Sequence, residues 1–187
     1  ISYAALDRIW KFDGTVNQLP SHEVIKASVS KIGYKNIITQ AKDTTVFLAL
    51  KGMKIGFGSN GKGYAADKTR TLLQSMGVTA GIINASGDLT TWGKKPDGTD
   101  WTVGITNPLN KDQIFSWLPV VNSAIATSGN YEKYIDIEGK RYSHIIDPRT
   151  GYPVQGVVSV SVLAPSAELC DALATSVFVL GVEAGLD

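Results

Sequence analysis

Short apolar runs of roughly four to eight residues, each closed by a turn rich in Gly, Pro, Asn or Asp, recur along most of this chain. Runs that short do not make helices that bury a face; they make strands joined by hairpins. Candidate strands fall at 34–39, 45–50, 53–57, 78–84, 101–106, 117–121, 123–127, 131–137, 140–146 and 157–164. Glu138-Gly139 between two of them is a hairpin signal, and Ala85-Ser86-Gly87-Asp88 reads as a turn closing the strand at 78–84.

Helical spacing interrupts this pattern. Ser21 is a candidate N-cap for a helix running to about Ile32, with Glu23 in its first turn and Gly33 at its end. A second helix spans 64–76, where Ala65, Leu72, Leu73 and Met76 recur at helical spacing and Gly77 closes it. The third, 167–180, follows Pro165-Ser166 and stops at Gly181. The chain opens in an amphipathic stretch, 1–12, and passes through a loop at 13–19. No repeat or linker is evident, so the expectation is one domain over 1–187. Its fold class is α+β, a largely antiparallel sheet with inserted helices rather than a βαβ series.

Hydrophobic residues at 43% and charged residues at 19% describe a folded globular chain. A net charge of +1 without a Lys or Arg cluster gives no electrostatic reason to expect nucleic acid or an anionic membrane as partner. No apolar run reaches the roughly 18 residues of a spanning helix. A single cysteine, Cys170, forms no intrachain disulfide and reads as a small core residue, with no basic partner nearby to activate it. The start at Ile1, inside an amphipathic stretch, reads as that of a trimmed or cleaved product, with any targeting segment upstream.

Gly56-Phe57-Gly58-Ser59-Asn60-Gly61-Lys62-Gly63 follows a strand and precedes a helix. Glycines there let main-chain amides approach a phosphate, and a helix start favours negative charge. The segment matches G-x-G-x-x-G and G-x-x-x-x-G-K, yet neither familiar reading survives. A P-loop needs Ser or Thr after its lysine, and Gly63 has no hydroxyl. A dinucleotide fold wants an acidic residue about 20 positions on, and Asp88 comes late and beyond a turn. A ligand-free strand-to-helix turn and a phosphate-facing loop of another kind both remain.

The helix at 167–180 is apolar around most of its circumference and should be buried, yet it carries Asp171. A buried carboxylate must be partnered or must bind a cation. Thr175 lies one turn on, on the same face. Carboxylate and hydroxyl, with a main-chain carbonyl and phosphate oxygens, suit magnesium; hydrogen bonds to a neighbouring loop are the plainer alternative. His144 sits in Ser143-His144-Ile145-Ile146-Asp147-Pro148-Arg149-Thr150-Gly151-Tyr152-Pro153, where a strand ends in a turn. Its imidazole could take a proton from an attacking hydroxyl, or serve only as a core histidine bonded to backbone. The other histidine, His22, belongs on the surface near a helix start.

Five ordered blocks carry a family likeness: GKGYAAD at 61–67, INASGDL at 83–89, ATSGNYE at 126–132, SHIIDPRTGYP at 143–153 and VSVLAPSAELCDALATSVFVLG at 160–181. Together they resemble the FAD:protein FMN transferase, or ApbE, family across nearly the whole chain. The resemblance implies that Asp171, Thr175 and the main-chain carbonyl of Ser59 hold Mg²⁺ on the diphosphate of FAD. It implies that Lys62 and the backbone at Ile146 contact FAD, and that His144 activates the hydroxyl of an acceptor. Magnesium and FAD as substrate are thus the implied small-molecule partners, with an acceptor flavoprotein subunit carrying a Thr or Ser flavinylation motif. FMN would pass to that hydroxyl and AMP would leave.

Position 56 is glycine where the family usually carries an aspartate that helps hold FAD. The family's upstream flavin contacts and C-terminal extension are expected outside this sequence. No S/T-G-A-S/T-x-T motif occurs here, so the chain does not read as the flavin's recipient. Family members are typically exported and often lipid-anchored, which implies the periplasm or the outer face of the bacterial inner membrane, with any membrane attachment through an upstream anchor. Other readings are a metal-dependent FAD pyrophosphatase, a non-catalytic flavin carrier, and an NAD- or ATP-binding module built on the glycine loop.

Overall fold

Residues 2–6, 9–15 and 18–187 are described by the structure, a computed structural model. Positions 1, 7 and 8 of the predicted opening stretch, and 16 and 17 of the loop after it, lie outside them. In chain order the helices are α1 (His22–Val29), α2 (Gly61–Ser75), α3 (Ala167–Leu180) and α4 (Val182–Leu186). The strands are β1 (Ile37–Gln40), β2 (Thr45–Leu48), β3 (Gly81–Ala85), β4 (Asp88–Trp92), β5 (Thr102–Asn107), β6 (Asn110–Pro119), β7 (Ala124–Gly129), β8 (Tyr134–Ile137), β9 (Lys140–Ser143) and β10 (Ser159–Ala164). They gather into two compact units, Ile1–Phe57 with Asn130–Gln155, and Gly58–Gly129 with Gly156–Asp187.

The second unit holds a four-stranded sheet in the order β10-β7-β4-β3, antiparallel at every pairing, so the predicted α+β class with antiparallel sheet stands. Ser86 (φ 54°) and Gly87 (φ 97°) form a two-residue loop that pairs Ala85 with Asp88 and starts β4 at once. Ala66 of α2 and Ala167 and Cys170 of α3 share a core with Ala124 and Ala126 of β7. These five side chains are small, which lets the elements approach closely, and Ile83 and Val162 pack against the cluster. β5 and β6 form a separate, bulged hairpin.

α3 runs over the predicted residues, with Ser166 Oγ accepting from the Leu169 amide at 3.3 Å and Gly181 at its end. It is not buried all round as predicted. Ala167, Cys170, Asp171, Ala174 and Phe178, three or four residues apart, form the buried stripe. Leu169, Leu173 and Leu180 on other sides stay more than 40% exposed, because packing covers only one face.

In the first unit, Trp10 packs with Ile25, Ile135 and Ile137 and lies near the rings of Phe12, Tyr142 and Tyr152. Its indole Nε1 donates to the Gly151 carbonyl at 2.8 Å. Gly151 has φ +76°, and a Cβ there would stand 2.5 Å from Ile25 Cγ2, so the turn needs glycine on both counts. Glu138 and Gly139, both at positive φ, join β8 to β9 as the hairpin signal predicted. The predicted strand at 53–57 does not form, and 34–36 make a 3₁₀ turn before β1.

Candidate active site

α2 begins where the glycine loop was predicted to continue. Gly61 and Gly63 lie in its first turn, and the main-chain amides of such a turn lack partners within the helix. The Gly63 amide finds one outside it, donating to Asp171 Oδ2 at 3.3 Å. Only glycine allows this approach, since a Cβ at 63 would lie 2.1 Å from the Ala167 carbonyl oxygen. A reciprocal bond runs the other way: Asp67 accepts the Ala167 and Glu168 amides at 3.0 and 2.9 Å, closing the N-terminus of α3. Two helices thus brace each other through one carboxylate apiece.

Asp171 is 2% exposed, and its Oδ1 accepts a hydrogen bond from Lys62 Nζ at 2.9 Å. The same ammonium stands 2.9 Å from Asp88 Oδ2, an ion-pair distance outside hydrogen-bond alignment. Asp88, 1% exposed, is placed by the tight β3–β4 loop. Burial pushes the Asp88 carboxyl up to about 6; Lys62 opposes that shift and the Asp171 charge adds to it. Burial alone would lower the Lys62 pKa, but Asp88 and Asp171 outweigh it and hold the ammonium above its ordinary value. With both carboxylates ionised, one ammonium leaves the cluster one negative charge in excess, and the Lys62 side chain is 41% exposed to whatever binds there.

Thr175 lies one turn beyond Asp171 on α3, as the spacing predicted, with its hydroxyl 3.3 Å from Ser128 Oγ on β7. Ser59 is partly buried in the turn leading into α2. Asn60, next to it, donates from Nδ2 to Glu168 Oε1 at 3.5 Å, while its buried Oδ1 accepts no hydrogen bond. Among the described residues no three His, Cys, Asp or Glu side chains converge as a metal centre. The donors on hand are instead a carboxylate, hydroxyls and an unpartnered amide oxygen. That is a hard, all-oxygen set, which suits a cation that also draws ligands from a substrate's phosphates.

His144 and Ile146 lie in the other unit. The His144 Nδ1 and main-chain amide both point at the Lys133 carbonyl, each at 3.0 Å. A carbonyl only accepts, so Nδ1 carries the proton and, in the neutral ring, Nε2 is the basic nitrogen. The ring also meets Phe12 edge-on, with centroids 6.5 Å apart. Ile146 pairs with Pro153 in an isolated bridge that closes the turn, inside which Asp147 clamps Arg149. His22 is exposed, 3.4 Å from the Tyr152 hydroxyl. Cys170 is buried, its thiol donating to the Ala124 carbonyl at 3.2 Å, and burial pushes its pKa up to about 11. It is no nucleophile.

Sequence reasoning overlooked Asp67, Ser128 and Asn60, and weighed Asp88 only as a ribose-binding acid. A signal existed for Asp67, which follows Gly63 by one helical turn and so shares its face. None existed for Ser128, whose tie to Thr175 depends on β7 lying beside α3.

Comparison with known proteins bears on this geometry. FAD:protein FMN transferase of Escherichia coli K12 is 34% identical over 189 residues, covering 98% of this chain and 54% of that protein. The ApbE protein of Thermotoga maritima superposes with a TM-score of 0.89 at 35% identity, over 97% of this chain and 59% of the other. Flavin transferase ApbE from Vibrio cholerae gives a TM-score of 0.87 at 29% identity, over 100% and 60%. The chain spans about half the length of the curated relatives it matches. The ApbE family's sequence model matches residues 1–187, through both units, and the chain therefore belongs to the ApbE family.

Proposed function

We propose that this chain is the central part of an FAD:protein FMN transferase, which moves FMN from FAD onto a Thr or Ser hydroxyl of an acceptor protein. The observation that carries the reading is the cluster of Lys62, Asp88 and Asp171 at the start of α2, in a chain similar to proteins bearing that name. Asp171, Thr175 and the Ser59 carbonyl would hold magnesium there. A bound magnesium ion would supply charge neutralisation at the diphosphate of FAD. Lys62, half exposed, supplies a further positive charge for the diphosphate oxygens. The main chain at Ile146 contributes to FAD binding. His144 takes the proton of the acceptor hydroxyl at Nε2 while Lys133 fixes the ring through Nδ1–H. The hydroxyl oxygen bonds to the FMN-side phosphorus, the bond from that phosphorus to the bridging oxygen breaks, and AMP departs with that oxygen.

The test is to incubate the intact protein with FAD, Mg²⁺ and an acceptor bearing the Thr/Ser motif, then to look for flavin fluorescence on a denaturing gel. A band at the acceptor that disappears with chelator is the expected result, and no covalent flavin would overturn the reading. AMP release without an acceptor would favour an FAD pyrophosphatase, and chelator-insensitive FAD binding without AMP would favour a carrier. We also propose a periplasmic or outer-face location through an upstream anchor, on family likeness alone; recovery of the protein from the cytosolic fraction would refute it. No helix among the described residues is long and apolar enough to cross a membrane.

A further inference from the structure

Asp88 has no part in the roles assigned above, yet it is among the most buried carboxylates of the chain. A carboxylate held that far from water costs stability unless it serves a neighbour. Its neighbour is Lys62, whose Nζ stands 2.9 Å from Asp88 Oδ2 and 2.9 Å from Asp171 Oδ1. Asp171 is the group that the proposed cation must reach, and Lys62 covers one of its oxygens. A lone ammonium facing a lone carboxylate would pair with it fully and compete with any metal. A second carboxylate on the other side divides the ammonium's attention.

From this arrangement we infer that Asp88 is a positioning residue that shares Lys62 with Asp171, so that a divalent cation can take Asp171 while the ammonium keeps a second anchor and stays aimed at the diphosphate. The inference rests on the cation reading of the previous subsection. When a cation takes Asp171, Lys62 stays anchored on Asp88 instead of being set loose in solvent. The β3–β4 hairpin makes this anchor rigid. Ser86 and Gly87 form the tightest loop available, and the Gly87 amide donates to Asn84 Oδ1 at 2.8 Å, fixing the residue beside Asp88.

The experiment titrates Mg²⁺ into the intact protein with FAD and follows flavin fluorescence, so that the readout is binding rather than turnover. Wild type, Asp88→Asn, Lys62→Met and the double variant are compared. In Asp88→Asn the ammonium has Asp171 as its one carboxylate partner in the cluster and competes harder with the cation, and the magnesium concentration at half-saturation rises by about tenfold. In the Lys62→Met background the same substitution has little effect, because Asp88 acts through the lysine.

An unchanged half-saturation in Asp88→Asn overturns the inference. So does an equal rise with and without Lys62, which would make Asp88 a general negative charge. A wild-type signal indifferent to magnesium removes the cation reading itself, and this inference with it. Should Asp88→Asn not fold, a crystal structure of the wild type with FAD and Mg²⁺ decides. Lys62 within hydrogen-bond reach of Asp88 and released from Asp171 supports the inference, and Lys62 away from Asp88 overturns it.

Discussion

Asp67 on α2 accepts the main-chain amide of Glu168 on α3 at 2.9 Å, across 101 residues of sequence, and the adjacent Ala167 amide at 3.0 Å. These bonds close the start of the helix that carries Asp171 and Thr175. Replacing Asp67 with Ala strands two amides at a partly buried helix end and is expected to cost about 2 kcal/mol. Asp67→Asn keeps an acceptor oxygen and should cost less. Urea unfolding with unchanged slope measures both, and an Ala variant as stable as wild type refutes the bracing role.

Gly63→Ala tests the close approach of the same two helices. Its Cβ would fall 2.1 Å from the Ala167 carbonyl oxygen and 2.6 Å from the Glu168 amide, both backbone atoms that cannot swing aside. The helices must separate, which breaks the Gly63–Asp171 bond as well. A loss of about 3 kcal/mol is expected, at the upper end for overpacking. Helix propensity alone would make the same change favourable by about 1 kcal/mol. A stabilised variant would therefore show that the approach is looser than described.

How much of this could be read in the sequence depended on whether the signal was local. α3 was legible because Ser166 and Gly181 mark its ends within one turn of the helix. The β8–β9 hairpin was legible because Glu138-Gly139 is its own turn. β4 was not, since its centre is Thr90-Thr91, which reads as polar. Those threonines are fully buried, with Thr90 Oγ1 accepting from Arg70 at 3.1 Å and Thr91 Oγ1 donating to the Val120 carbonyl at 2.7 Å. Both partners are remote in sequence. The start of α2 was missed for a related reason. Glycine is a poor helix former, and only the nearness of α3 explains its presence. At the site, the need for a partner at Asp171 was legible, but its identity as Lys62 was not.

The pH dependence of stability isolates Asp88. Burial, with the Asp171 charge adding, moves its pKa from 3.8 to about 6 against the pull of Lys62. The unfolded chain gives up this proton near pH 3.8 and the folded chain near 6, so between those values the folded state binds more protons. Stability from this group therefore falls as pH rises through the window and is flat above it. The difference between wild type and Asp88→Asn, measured by urea unfolding in chelator, should fall as pH rises from 3.8 to about 6 and level off above that. A difference that does not vary between pH 4 and pH 7 (rough limits of the window) would mean that Asp88 titrates normally.

Cys170 should resist thiol reagents in the native protein. It is fully buried, bonded to the Ala124 carbonyl, and its pKa lies near 11 because burial disfavours the thiolate. A chromogenic disulfide reagent is expected to report no reaction until denaturant unfolds the chain. Prompt labelling of the folded protein would contradict the packing of α3 against β7.

His144 offers the sharpest division between binding and chemistry. Lys133 holds its Nδ1, which leaves Nε2 as the basic nitrogen of the neutral ring. If that nitrogen accepts the proton of the acceptor hydroxyl, His144→Ala should slow flavin transfer by about 10²–10⁴-fold. FAD affinity, read by fluorescence, should change little, since the ring is assigned no contact with the nucleotide. His144→Gln keeps an atom able to bond the Lys133 carbonyl but supplies no base, and should be as slow as Ala. A Gln variant with near wild-type transfer would show that the side chain holds the turn rather than moving a proton, and the role of base would pass to another group.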